Sequence, residues 1–65
     1  MHILIVEDEL GIVQFLKQGL QEEGYQVTTA NDGSKGFELL QNQKFDLILL
    51  DLKNRFIKIK IITIS

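Results

Sequence analysis

The sequence predicts an α/β fold with a parallel sheet, in the order strand, helix, strand, helix, strand. Three observations predict it. Two four-residue apolar runs, Ile3-Leu4-Ile5-Val6 and Leu47-Ile48-Leu49-Leu50, each end directly in an acid, Glu7 and Asp51. The apolar spacing switches from continuous or alternating to helical and back. Turn chemistry falls at the switches, at Gly24 and at Asn31-Asp32-Gly33. Such alternation argues for right-handed crossovers between parallel strands.

Each element has its own reason. Residues 3–6 are apolar on both faces and rich in β-branching, which suits a strand covered on both sides. Glu7, Asp8 and Glu9 follow, where acids suit the positive end of a helix dipole. Residues 10–23 place Val13, Leu16 and Leu20 on one helical face, with Ile12 and Phe15 beside it. Gly24 is the expected stop. Gly19, inside that helix, is read as a close-packing position. Tyr25, Val27 and Thr29 alternate with polar neighbours, as in a half-exposed edge strand. Residues 34–41 read as a short helix carrying Phe37, Leu39 and Leu40, weakened by Gly36. Phe15, Phe37, Phe45 and Tyr25 are expected in the core or at its rim, and His2 as an exposed strand start. Asp46 is expected to be a surface or capping residue.

The chain divides at residue 52. Residues 53–65 hold five isoleucines and three lysines, and Ile57, Ile59 and Ile61 alternate with Lys58 and Lys60. This divergent tail is read as a β-strand or as disordered chain. A parallel crossover needs a dozen or more residues, so a tail strand beside the third strand is expected to be antiparallel, turning near Lys53 and Asn54. Ser65 would then end far from Asp51.

Composition narrows the function classes. The chain has 65 residues, 45% of them hydrophobic, and no cysteine. That suits one small domain without disulfides or thiolate metal sites. A chain of this size hides only about 60% of its unfolded surface. The net charge of −2 is opposite to that of a typical nucleic-acid binder. The chain opens on a strand-like run with no signal-peptide pattern, and no apolar run is long enough for a membrane span. A cytoplasmic location is expected. No G-x-G-x-x-G or P-loop follows a strand, which sets aside nucleotide binding.

In an open α/β sheet, ligands bind beyond the carboxyl ends of the strands where the strand order reverses. With order 2-1-3 that point lies between the first and third strands, where Glu7, Asp8 and Asp51 would meet. Clustered carboxylates repel one another. Magnesium, a hard cation bound by a few carboxylates and a phosphate, would relieve the conflict. A carboxylate in such a site can accept a phosphoryl group as an acyl phosphate.

Four segments taken in order resemble a response-regulator receiver domain: Ile3-Leu4-Ile5-Val6-Glu7-Asp8-Glu9, Glu23-Gly24-Tyr25, Asn31-Asp32-Gly33, and Phe45-Asp46-Leu47-Ile48-Leu49-Leu50-Asp51-Leu52. The OmpR-like class of two-component regulators is the most similar. The resemblance covers about four fifths of the chain and about half of a full receiver domain. It implies a truncated doubly wound, flavodoxin-like fold of order 2-1-3 over residues 1–52, with an extra strand where the tail pairs. It implies Asp51 as phosphoacceptor, Asp8 as magnesium ligand, Glu7 assisting through water, and the backbone carbonyl of Lys53 as a further contact. A histidine kinase would be the donor, and the chain would be a phosphoacceptor rather than an enzyme.

Some family features are missing. Arg55 stands where the class has a proline, and the chain has no proline at all. The later strand with its phosphoryl-gripping lysine and the switch aromatic are not in the sequence. Ser65 only faintly matches the switch hydroxyl. The competing expectation is therefore a remnant without phosphotransfer, acting as an interaction surface or self-associating through an exposed sheet edge.

Overall fold

A computed structural model of the chain describes residues 1–51 and 60–63. The elements run β1 (His2–Glu7), α1 (Leu10–Glu22), β2 (Gln26–Ala30), α2 (Gly33–Asn42), β3 (Leu47–Asp51) and β4 (Lys60–Thr63). They form one four-stranded sheet in the order β2-β1-β3-β4. β1 pairs parallel with β2 and with β3. β4 pairs antiparallel with β3, Leu47 opposite Thr63 and Leu50 opposite Lys60. The expected order 2-1-3 and the added antiparallel tail strand are both present. The expected turn near Lys53 and Asn54, and the place of Ser65, lie outside the described residues.

The central strand is the most apolar one, as burial on both faces requires. Ile3, Leu4 and Ile5 are almost wholly buried. Side chains alternate along a strand, and the register puts Leu4 and Val6 on one face with Ala30 and Ile48. These four and Phe45 form a core cluster, with Leu39 and Leu50 packed against it. Ile3 and Ile5 occupy the opposite face. The two crossovers step in opposite directions along the sheet, so the right-handed rule puts α1 and α2 on opposite faces. Both helices lie over β1 and β2. Leu47, Leu49 and Leu50 of β3 are only half-buried.

The ends of the elements follow local chemistry. Asp32 caps α2, its Oδ1 accepting from the Lys35 amide at 2.8 Å. α1 closes through Gly24, whose φ of 90° lies in the left-handed region that glycine tolerates. At the amino edge of the sheet, Asp46 ties β3 to β1. Its Oδ2 accepts from the His2 amide at 2.7 Å, and its own amide donates to the His2 carbonyl at 2.8 Å. That fulfils the surface-capping expectation for Asp46.

Three expectations need correction. His2 is half-buried, not exposed: its Nε2 bonds the Thr28 hydroxyl at 2.7 Å and its ring lies 4.4 Å from that of Phe45. Phe15 and Phe37 are 78% and 63% exposed, not core or rim. Phe15 follows the buried Val13 by two residues, about 200° around the helix, so it points away from the sheet. Gly19 is not a close-packing position, because a Cβ there would meet nothing within 4 Å. The close approach is at Gly36, which is buried, where a Cβ would lie 2.9 Å from Val6 Cγ2. Gly36 lets α2 settle onto the central strand.

Candidate functional site at the carboxyl ends of β1 and β3

Parallel strands bring their carboxyl ends to one edge of the sheet. Glu7 ends β1, Asp51 ends β3, and the two are register partners. Neighbouring strands lie about 4.8 Å apart, so the two backbones are adjacent at the point where the strand order reverses. Asp8 is the next residue after β1 and is exposed. Glu9 then occupies the N-cap position of α1, with extended backbone and no side-chain cap bond. Glu7 and Asp8 are therefore held at the expected place by their own strand and loop. Asp51 is brought there by its backbone register. Lys53 lies outside the described residues.

The two acids differ in environment. Glu7 is 4% exposed, the buried charged residue of the described chain. Its Oε1 accepts from the Glu9 amide at 3.1 Å, across Asp8. Alternation accounts for the burial, since Glu7 shares the face of Ile3 and Ile5, the face that α1 overlies. Asp8 stands outside that cover. Beside them is a cleft of about 300 Å³, lined by Glu7, Asp8, Thr29 and Asn31 above Val13 and Ala30. Thr29 and Asn31 were not singled out in the sequence. Their position at the carboxyl end of β2, next in the sheet to β1, is the signal that could have found them.

The donor set is chemically suited to a hard cation. Carboxylate oxygens from Glu7 and Asp8, with Asp51 in register, are the ligand type that magnesium takes. Among the described residues no group of three His, Cys, Asp or Glu side chains forms a metal-binding cluster. Glu7 and Asp8 are described carboxylates at the end of β1, and the backbone of Asp51 is in register with Glu7.

Comparison with known proteins agrees with this geometry. A family model described as the response regulator receiver domain matches residues 3–53. The chain is 40% identical over 52 residues to the transcriptional regulatory protein GlrR of Escherichia coli, covering 80% of this chain and 12% of that protein. It is 47% identical over 51 residues to the alginate biosynthesis transcriptional regulatory protein AlgB of Pseudomonas putida, covering 78% and 11%. It is 44% identical over 50 residues to the alkaline phosphatase synthesis transcriptional regulatory protein PhoP of Bacillus subtilis, covering 77% and 21%. The chain therefore spans at most about a fifth of these three relatives. No solved structure matches it. The match over residues 3–53, laid on a β1-α1-β2-α2-β3 sheet with acids at the carboxyl ends of β1 and β3, identifies the chain as a member of the response-regulator receiver domain family of two-component systems.

Proposed function

We propose that this chain is a phosphoacceptor module of a two-component phosphorelay, with Asp51 as the acceptor. Receiver domains of response regulators take their phosphoryl group from histidine kinases, and they generally bind magnesium. The observation that carries the reading here is the register of Glu7 with Asp51 at the reversal of strand order. Asp8 and Asp51 would hold the cation, with Glu7 acting through water and Lys53 through its backbone carbonyl. A bound magnesium would neutralise charge on the transferred phosphoryl oxygens.

The rest of the reaction belongs to the chain's own residues. A carboxylate oxygen of Asp51 forms a bond to phosphorus, and the bond from phosphorus to the donor's histidine nitrogen breaks. The product is an acyl phosphate at the end of β3. Glu7 ends the adjoining strand and Asp8 follows it, which would place both carboxyl groups beside the product. A cytoplasmic module follows from this reading. Among the described residues no helix is long and apolar enough to cross a membrane. Nucleic-acid contact by this chain does not fit its net charge of −2.

One observation favours a second reading, an interaction surface without phosphotransfer. β4 occupies the place beside β3 and runs antiparallel to it, while both helices lie over β1 and β2. The sheet then ends in an edge strand, which can pair with a second copy. Incubation with a small-molecule phosphodonor and magnesium separates the two. Phosphotransfer predicts a mass increase of one phosphoryl group that is abolished in Asp51→Asn. An unmodified chain that sediments as a dimer would favour the interaction surface.

A further inference from the structure

We propose that Glu7 is a positioning residue for Asp8, fixing the turn between β1 and α1 through its bond to the Glu9 amide. The inference rests on the acidic-site reading above and assigns Glu7 a task within it.

Glu7 belongs to a chain of bonds that crosses the turn. Its side chain is held in the buried layer by β1. Its Oε1 accepts from the Glu9 amide at 3.1 Å. The Glu9 carbonyl in turn accepts from the amides of Ile12 and Val13, both at 3.1 Å. Val13 is buried, 8% exposed, so this first turn of α1 is anchored to the interior. Asp8 lies between Glu7 and Glu9, the two residues joined by the first bond. It is exposed, so burial does not hold it. Fixing both neighbours restricts the backbone of Asp8 before any cation arrives, and such preorganisation raises affinity by lowering the ordering cost on binding. Glu9 gives α1 no side-chain cap bond, and the Glu7 carboxylate supplies a side-chain anchor at this turn.

Two variants separate position from charge. Glu7→Gln and Glu7→Met remove the same negative charge and keep a similar length. Glutamine retains an oxygen that can accept from the Glu9 amide, and methionine does not. Both are titrated with magnesium chloride and followed by two-dimensional amide NMR, with circular dichroism as a check on folding. Both should bind more weakly than the wild type, and Glu7→Met about fivefold more weakly than Glu7→Gln, the scale of one ordinary hydrogen bond. Hydrogen exchange without magnesium should find the Glu9 amide protected in the wild type and in Glu7→Gln, and unprotected in Glu7→Met. Equal magnesium affinities of the two variants, or an unprotected Glu9 amide in the wild type, would overturn the proposal and leave the acidic-site reading standing. A wild-type chain indifferent to magnesium would instead defeat the acidic-site reading itself, whatever the Glu9 exchange.

Discussion

Replacing Gly36 by alanine should destabilise the chain, whereas the same replacement at Gly19 should stabilise it. Both glycines lie inside helices, so alanine gains about 1 kcal/mol of helix propensity at either site. They differ in what the new methyl meets. At Gly19 it meets nothing within 4 Å. At Gly36 it would lie 2.9 Å from Val6 Cγ2, where carbon atoms prefer about 3.5–4.0 Å. Val6 is 3% exposed on the central strand, and its β-branched side chain is stiff. Relief must come from moving α2 or β1. Overpacking of this kind costs about 1–3 kcal/mol. Taking the middle of that range, Gly36→Ala loses about 1 kcal/mol net and Gly19→Ala gains about 1 kcal/mol. For a domain of this size 1 kcal/mol moves Tm by about 4–8 °C. Thermal melts followed by circular dichroism should therefore separate the two variants by about 10 °C, with the wild type between them. A shift of equal sign and size in both would refute the close packing of α2 on β1.

Two further outcomes follow from individual contacts. Asp32→Ala removes the acceptor for the Lys35 amide at the start of α2 and should cost about 1 kcal/mol, with Asp32→Ser recovering most of it, as read from urea denaturation midpoints. Asp8→Asn should leave Tm within a few degrees, because Asp8 is exposed, and under the proposed function should lower magnesium affinity by at least about tenfold; an unchanged affinity would remove Asp8 from the site.

Much of this arrangement was legible in the sequence because it rests on short-range patterns. The runs at residues 3–6 and 47–50 could be buried only in the middle of a sheet, and the acids after them had to emerge at one edge. The direction of β4 was legible from the shortness of the connection to β3. The roles of the two helical glycines were not, because Gly19 and Gly36 have similar local surroundings. Only the register of α2 over β1 shows that Gly36, and not Gly19, is the contact. The exposure of Phe15 was available from helical geometry, since it lies across the helix from Val13. The half-burial of His2 is not legible locally, because its partners Thr28 and Phe45 are distant in sequence. The bond from Glu7 to Glu9 depends on a rotamer, and no sequence pattern specifies it.

The site itself was legible as far as its topology. Glu7 and Asp8 lie where the order 2-1-3 requires, with Asp51 in register across from Glu7. Thr29 and Asn31 are neutral side chains that carry no acidic signature, and only the opening of the end of β2 onto the same cleft places them there.

A two-dimensional amide NMR spectrum of the chain with and without magnesium tests whether the ends of β1 and β3 form a cation site. Dispersed peaks are expected, in which magnesium shifts those of Glu7, Asp8 and Asp51 and leaves distant amides such as those of Gly19 and Gln41 in place. Dispersed peaks that magnesium does not move at all three acids would contradict it, because the strand ends would then be adjacent without forming a cation site.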